Sequence, residues 1–158
     1  MATGKVGPQK VFRDALAKAF PSLTARQVRD LAAPPLKTLT FLDGETVVRQ
    51  DQWANALYVI TSGEAEVVRY DARGNELDLE AILGPGDFFG EIGLLLQPRR
   101  TATVRARSAL EVTVLDRGQF GELVASSPEA AASLEETARS RLARKRPPPR
   151  KPGGRSGS

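Results

Sequence analysis

The chain contains no cysteine and no histidine. Without cysteine there are no disulfides, thiolate metal sites, iron–sulfur clusters or cysteine nucleophiles. Without histidine the commonest general base, the commonest metal ligand and every Ser-His-Asp arrangement are gone. Much of enzyme chemistry is excluded before any motif is read, and the expectation is a non-catalytic protein with no metal and no cofactor. Long apolar runs are also missing, and none approaches the length of a membrane span. No apolar signal core follows Met1-Ala2-Thr3-Gly4-Lys5, so a cytoplasmic location is expected.

What remains is an ordinary soluble composition of 41% hydrophobic and 27% charged residues over 158 positions, the size of one domain that can bury its core unaided. The net charge of +4 averages two unlike segments. Residues 139–158 hold eight Lys and Arg and no acid, which leaves 15 basic against 19 acidic residues in 1–138. The fold is therefore mildly acidic and the basic character belongs to a tail. A DNA-binding domain usually carries its positive charge on the fold itself, so sequence-specific DNA binding is not expected. The tail is most simply a solubilising end, with contact to anionic lipid or nucleic acid as the sharper alternative.

Residues 1–8 are small, polar and expected to fray, and a folded domain is expected over 9–144. Val11, Phe12, Ala15, Leu16 and Ala19 recur at helical spacing, which predicts a short amphipathic helix ended by Pro21. Ser22 or Thr24 can cap a second helix carrying Leu23, Val28 and Leu31, which Pro34-Pro35 stops. From Leu36 to Asp116 come β-rich runs: Leu36–Leu42, Thr46–Arg49, Ala56–Thr61, Ala65–Tyr70, Leu77–Leu83, Ala102–Arg107 and Leu110–Leu115. Turn signals at Asp43-Gly44, Gly63 and Arg73-Gly74-Asn75 separate several of them, and the spacing predicts a sandwich or barrel. Trp53 and Tyr58 read as packing residues. After Asp116 the pattern turns helical, with Phe120, Leu123 and Val124 on one face. Ser127-Pro128 then marks the start of a helix carrying Leu134, Ala138 and Leu142. Pro147-Pro148-Pro149 ends it, and residues 145–158 form a disordered basic, Pro/Gly-rich tail.

One segment breaks the strand rhythm, from Gly84-Pro85-Gly86 through Arg99-Arg100. A glycine-dense turn leads into a single helical turn, whose free N–H groups form an anion site. Gly90 and Gly93 let a ligand approach the backbone closely. Ten residues past Gly90 sits Arg100, beside the hydroxyl of Thr101. Guanidinium, hydroxyl and helix N-terminus together suit a phosphate, and Glu91 could accept from sugar hydroxyls. On spacing alone the same residues also read as turn glycines and solvated or surface-paired charges.

The run Phe88-Phe89-Gly90-Glu91-Ile92-Gly93-Leu94-Leu95, followed by Arg99-Arg100-Thr101-Ala102-Thr103-Val104-Arg105-Ala106, resembles the phosphate-binding cassette of the cyclic nucleotide-binding domain family. That family includes bacterial catabolite activators, kinase regulatory subunits and nucleotide-gated channels. Leu57–Val67, around the Gly63 turn, resembles the family's third and fourth strands, and Gly44 and Gly86 stand at matching turn points. The resemblance covers roughly Phe20 to Ser140.

It implies a mainly β fold with flanking helices. This is a double-stranded, jelly-roll-like β-roll of about eight strands, with short N-terminal helices and a C-terminal lid helix. Carried over residue by residue, Arg100 resembles the arginine that pairs with the cyclic phosphate, with Thr101, Ala102 and Ile92 beside it. Glu91 resembles the acid that accepts the ribose 2′-hydroxyl, next to Gly90. On the base side stand Arg141, Leu134 and Ala138 of the lid, and Thr101, whose hydroxyl could meet the 2-amino group of a syn guanine. The implied function is a sensor for cAMP or cGMP that relays binding through its C-terminal helix to an unidentified protein effector or larger assembly. The alternative is a structural or interaction module on the same fold that does not bind nucleotide. No helix-turn-helix domain fits after Ser127, which departs from the catabolite-activator pattern.

Overall fold

The computed structural model describes residues 8–33, 37–54, 56–91 and 99–145. Helices α1 (Pro8–Ala19) and α2 (Ala25–Leu31) come first. Eight strands follow: β1 (Lys37–Phe41), β2 (Thr46–Val48), β3 (Ala56–Ser62), β4 (Ala65–Val68), β5 (Ala81–Leu83), β6 (Phe88–Phe89), β7 (Thr103–Ala106) and β8 (Leu110–Asp116). Helices α3 (Arg117–Ser126) and α4 (Pro128–Lys145) close the described chain. All strand pairing is antiparallel, in two four-stranded sheets of order β1-β8-β3-β6 and β2-β7-β4-β5. This is the β-roll with flanking helices that the resemblance implied.

Local chemistry sets the helix ends. Of the two candidate caps, Thr24 is the one used: its Oγ1 accepts from Gln27 N at 3.1 Å, and Gln27 Oε1 accepts from Thr24 N at 2.8 Å. Asp116 and Gln119 make the same reciprocal box at the start of α3. Ser127 Oγ accepts from Ala130 N at 3.1 Å at the start of α4. Gly63 has φ +84°, and a Cβ there would sit 2.0 Å from the Ala109 carbonyl oxygen, so only glycine fits the β3–β4 turn.

Strand β3, inside the first sheet, is buried on both faces, which is why it reads as the unbroken apolar run Ala-Leu-Tyr-Val-Ile. Leu57 and Val59 face the helices and pack with Phe12, Leu16, Phe20, Leu123 and Leu134. Tyr58 and Ile60 face the second sheet and pack with Val48, Leu83, Val104 and Val112. β6 repeats this division in two residues. Phe88 stacks on Phe20 in the helical core with centroids 5.0 Å apart, and Phe89 stacks on Tyr58 between the sheets, also at 5.0 Å.

The structure differs from the sequence expectations in three places. The run Leu77–Leu83 contributes a strand only at Ala81–Leu83, and Leu77 and Leu79 are 38% and 46% exposed. β6 was not expected, because two residues carry no periodicity. Trp53 is not a packing residue: it is 64% exposed, with the Arg99 guanidinium 4.5 Å above its ring. The Pro34-Pro35 stop, the helical turn after Glu91 with Ile92, and the tail beyond Lys145 lie outside the described residues.

Candidate functional site

Both ends of the cassette converge on one cavity, partly open to solvent. The inner face of the second sheet forms one wall. Its central row runs across the sheet by register, from Val48 through Val104 and Val67 to Ala81. Phe89, Gly90 and Glu91 close the opposite side, Arg100, Thr101 and Ala102 lie at the approach to β7, and Arg141 reaches in from α4.

Arg100 is 5% exposed. Its Nη1 donates to Gly90 O and its Nη2 to Ala56 O, both at a long 3.4 Å, and its Cζ lies 5.4 Å from the centre of the Tyr58 ring. Among the described residues no carboxylate lies within 4.0 Å of it. Burial pulls its affinity for the proton below the ordinary guanidinium value, against smaller opposing effects of Tyr58 and Glu91. A guanidinium stays charged under such conditions. A buried cation held by two stretched carbonyl contacts and a ring face is costly until an anion joins it.

Gly90 makes room for that cation. Its φ is +99°, and a Cβ would come within 2.7 Å of both Ala56 O and Arg100 Nη1. Glu91 follows directly and is 1% exposed. Both of its oxygens accept from Arg141 Nη1, at 2.9 and 3.0 Å. Arg141 also donates to Phe88 O at 2.8 Å and lies 5.0 Å over the Phe88 ring. α4 is thus tied to the cassette by one side chain that touches the carboxylate, the backbone and the ring before it.

The expected phosphate residues Arg100, Thr101 and Ala102 and the expected ribose residues Gly90 and Glu91 all line this cavity, and Ile92 lies outside the described residues. Of the expected base residues, Thr101 and Arg141 line it as well. Leu134 and Ala138 do not: both are fully buried, and Leu134 packs into the helical core. Sequence reasoning did not single out Glu80, which also lines the cavity and whose carboxylate pairs with Arg69. It also missed the Arg141–Glu91 pair, whose members are 50 residues apart.

Residues 38–127 match the family model for the cyclic nucleotide-binding domain. The chain is 31% identical over 121 residues to a cAMP-dependent protein kinase regulatory subunit of Schizosaccharomyces pombe, covering 75% of this chain and 28% of that protein. It is 45% identical over 74 residues to an uncharacterized ABC transporter ATP-binding protein of Mycobacterium tuberculosis, covering 47% of this chain and 22% of that one. The crystal structure of the Thermus thermophilus catabolite activator protein superposes with a TM-score of 0.68 at 30% identity, over 80% of this chain and 58% of that chain. The chain therefore spans about a quarter of the length of these two curated relatives.

Proposed function

The chain belongs to the cyclic nucleotide-binding domain family, and from that premise we propose that it is a non-catalytic sensor module that binds cAMP or cGMP in the cavity around Arg100. The observation that carries this reading is the buried Arg100 guanidinium, which makes no ion pair among the described residues. A cyclic phosphate brings one negative charge in a compact group, which matches one arginine and a hydroxyl. The Glu91 carboxylate supplies the acceptor a ribose hydroxyl needs, and its two oxygens offer about four lone-pair sites, more than Arg141 occupies.

The same carboxylate supplies the relay. A ribose hydroxyl arriving at Glu91 shares or replaces its bonds from Arg141, and Arg141 sits on α4. Ligand occupancy thereby shifts the balance between positions of α4, and a helix that moves can expose or cover a surface for an effector. The kinase regulatory subunit and the transporter ATP-binding protein among its relatives fit a module whose output is made by a partner or a larger assembly.

Calorimetric titration with cAMP, cGMP and 5′-AMP tests the binding. The expected result is micromolar or tighter binding of a cyclic form and much weaker binding of 5′-AMP. Equal binding of 5′-AMP, or no heat at millimolar ligand, overturns the reading. Hydrogen exchange over residues 128–145 with and without ligand tests the relay, and unchanged protection there removes it.

A further inference from the structure

Arg100 is tied down at its backbone and loosely held at its head. Its N donates to Gln52 O at 2.7 Å and its O accepts from Asp51 N at 2.8 Å. Among the described residues, its guanidinium meets the Gly90 and Ala56 carbonyls, both at 3.4 Å, and the ring of Tyr58. These contacts are not equivalent. The carbonyls take N–H groups from the edge of the guanidinium, the same groups an anion needs. An aromatic ring takes the flat face and leaves the edge free. Of the three, the Tyr58 contact is the one that can hold the cation without competing with an anion for its donors.

The ring is itself well held. Tyr58 pairs with Val114 on one side and Phe89 on the other, inside the first sheet. It is buried between the sheets and stacks on Phe89 with centroids 5.0 Å apart and planes 8° apart. A Cβ at Gly90 would stand 3.4 Å from Tyr58 Cδ1 and 2.7 Å from Arg100 Nη1, so ring and guanidinium meet where the chain has no side chain. Tyr58 also favours the charged guanidinium against the opposing effect of burial. A cation over a ring gains more when both are out of water, as they are at this place. We infer that Tyr58 is a positioning residue: its ring, backed by Phe89, is the floor that holds the Arg100 guanidinium by its face and leaves its N–H edge open to an incoming phosphate. This inference rests on the nucleotide-binding reading above, and it gives a binding role to a side chain that the sequence offers only as packing.

The probe is whichever of cAMP and cGMP binds the wild-type chain more tightly, titrated by calorimetry, with a thermal melt of each variant. Tyr58→Phe keeps the ring face and is expected to bind close to wild type. Tyr58→Leu removes the face and is expected to bind about five- to thirtyfold more weakly, the range for a largely desolvated cation over an aromatic ring. Leucine also gives up the stack on Phe89, so a further variant separates positioning from packing. Replacing Tyr58 with a trifluorinated phenylalanine keeps the shape of the ring and withdraws the negative charge from its face. That variant is expected to melt with Tyr58→Phe and to bind as weakly as Tyr58→Leu. Wild-type affinity in the fluorinated variant or in Tyr58→Leu overturns the inference while leaving the binding reading intact. So does a Tyr58→Phe variant as weak as Tyr58→Leu, because the hydroxyl and not the ring face would then be the cause. A wild-type chain that binds neither nucleotide overturns the binding reading and this inference with it.

Discussion

Two arginines at the second sheet, five residues apart, differ in how far the fold itself satisfies their charge. Arg105 is on the outer face. Its guanidinium bonds Glu66 Oε2 at 2.7 Å and Glu76 at 3.0 and 3.1 Å, and reaches the Tyr70 hydroxyl at 3.3 Å. These bonds, those to Glu76 and Glu66 above all, push its affinity for the proton well above the ordinary value. Arg100 is in the interior, with two stretched carbonyl contacts, and burial pushes it the other way. A charge with its partners in the same fold belongs to the scaffold. For Arg100, which lacks such partners among the described residues, the partner we propose comes from outside.

The sharpest break of this comparison is to remove each arginine in turn. Arg100→Leu should weaken cyclic nucleotide binding by about 2–5 kcal/mol, the cost of leaving a buried ionic partner unpaired. Its melting temperature should hold or rise, because a buried unpaired cation is lost. Arg105→Leu should leave binding unchanged. Calorimetry and thermal melts on both variants check the pair, and equal affinity of wild type and Arg100→Leu would remove the phosphate assignment.

Glu91→Ala removes the hydroxyl acceptor and should weaken binding by about 1–3 kcal/mol. It also frees Arg141, so protection of α4 in ligand-free hydrogen exchange should fall. Gly90→Ala crowds Arg100 without touching its charge. The forced φ and the 2.7 Å contacts should destabilise the fold by about 1–3 kcal/mol, read by chemical denaturation.

The smallest expected effects are on the outer face. Arg105→Leu should cost roughly 1 kcal/mol, a melting temperature lower by about 2–4 °C. Part of that loss depends on pH. The Arg105 hydrogen bonds hold the Glu76 carboxyl below its ordinary value of 4.5. A carboxyl depressed in the folded state contributes stability that is complete above its unfolded value and is lost as pH falls through the folded one. The gap between wild type and Arg105→Leu should therefore be full at pH 7 and shrink below about pH 4.5, as measured by denaturation at pH 7 and pH 3.

The inner arginine was legible in the sequence and most of its surroundings were not. Gly90, Glu91, Arg100 and Thr101 fall in one short stretch, so a resemblance to the family's cassette could single them out where spacing alone left them open. The helices and their caps were legible for the same reason, since Thr24–Gln27 and Ser127–Ala130 are local pairs. Arg141 was singled out from the face it occupies on α4, toward a purine. Here its partners are Glu91 and Phe88, which no local pattern brings near it. Glu80 was hidden inside a run read as a strand, and the chain straightens into β5 only after it. Leu134 and Ala138 share a helical face with Arg141, yet that face turns into the helical core before it reaches the cavity.

Trp53 is the chain's single tryptophan, and its setting makes it an optical reporter. The indole is largely in solvent, beneath the Arg99 guanidinium, and its backbone forms a bridge with Arg99. Asp51 N donates to Arg100 O at 2.8 Å and Arg100 N to Gln52 O at 2.7 Å, so the segment carrying the indole is sewn to the buried arginine. We expect an anion bound at Arg100 to be felt along that seam. A shift of Arg99 would alter the cationic quenching of the indole, and tryptophan fluorescence would then follow occupancy without a label.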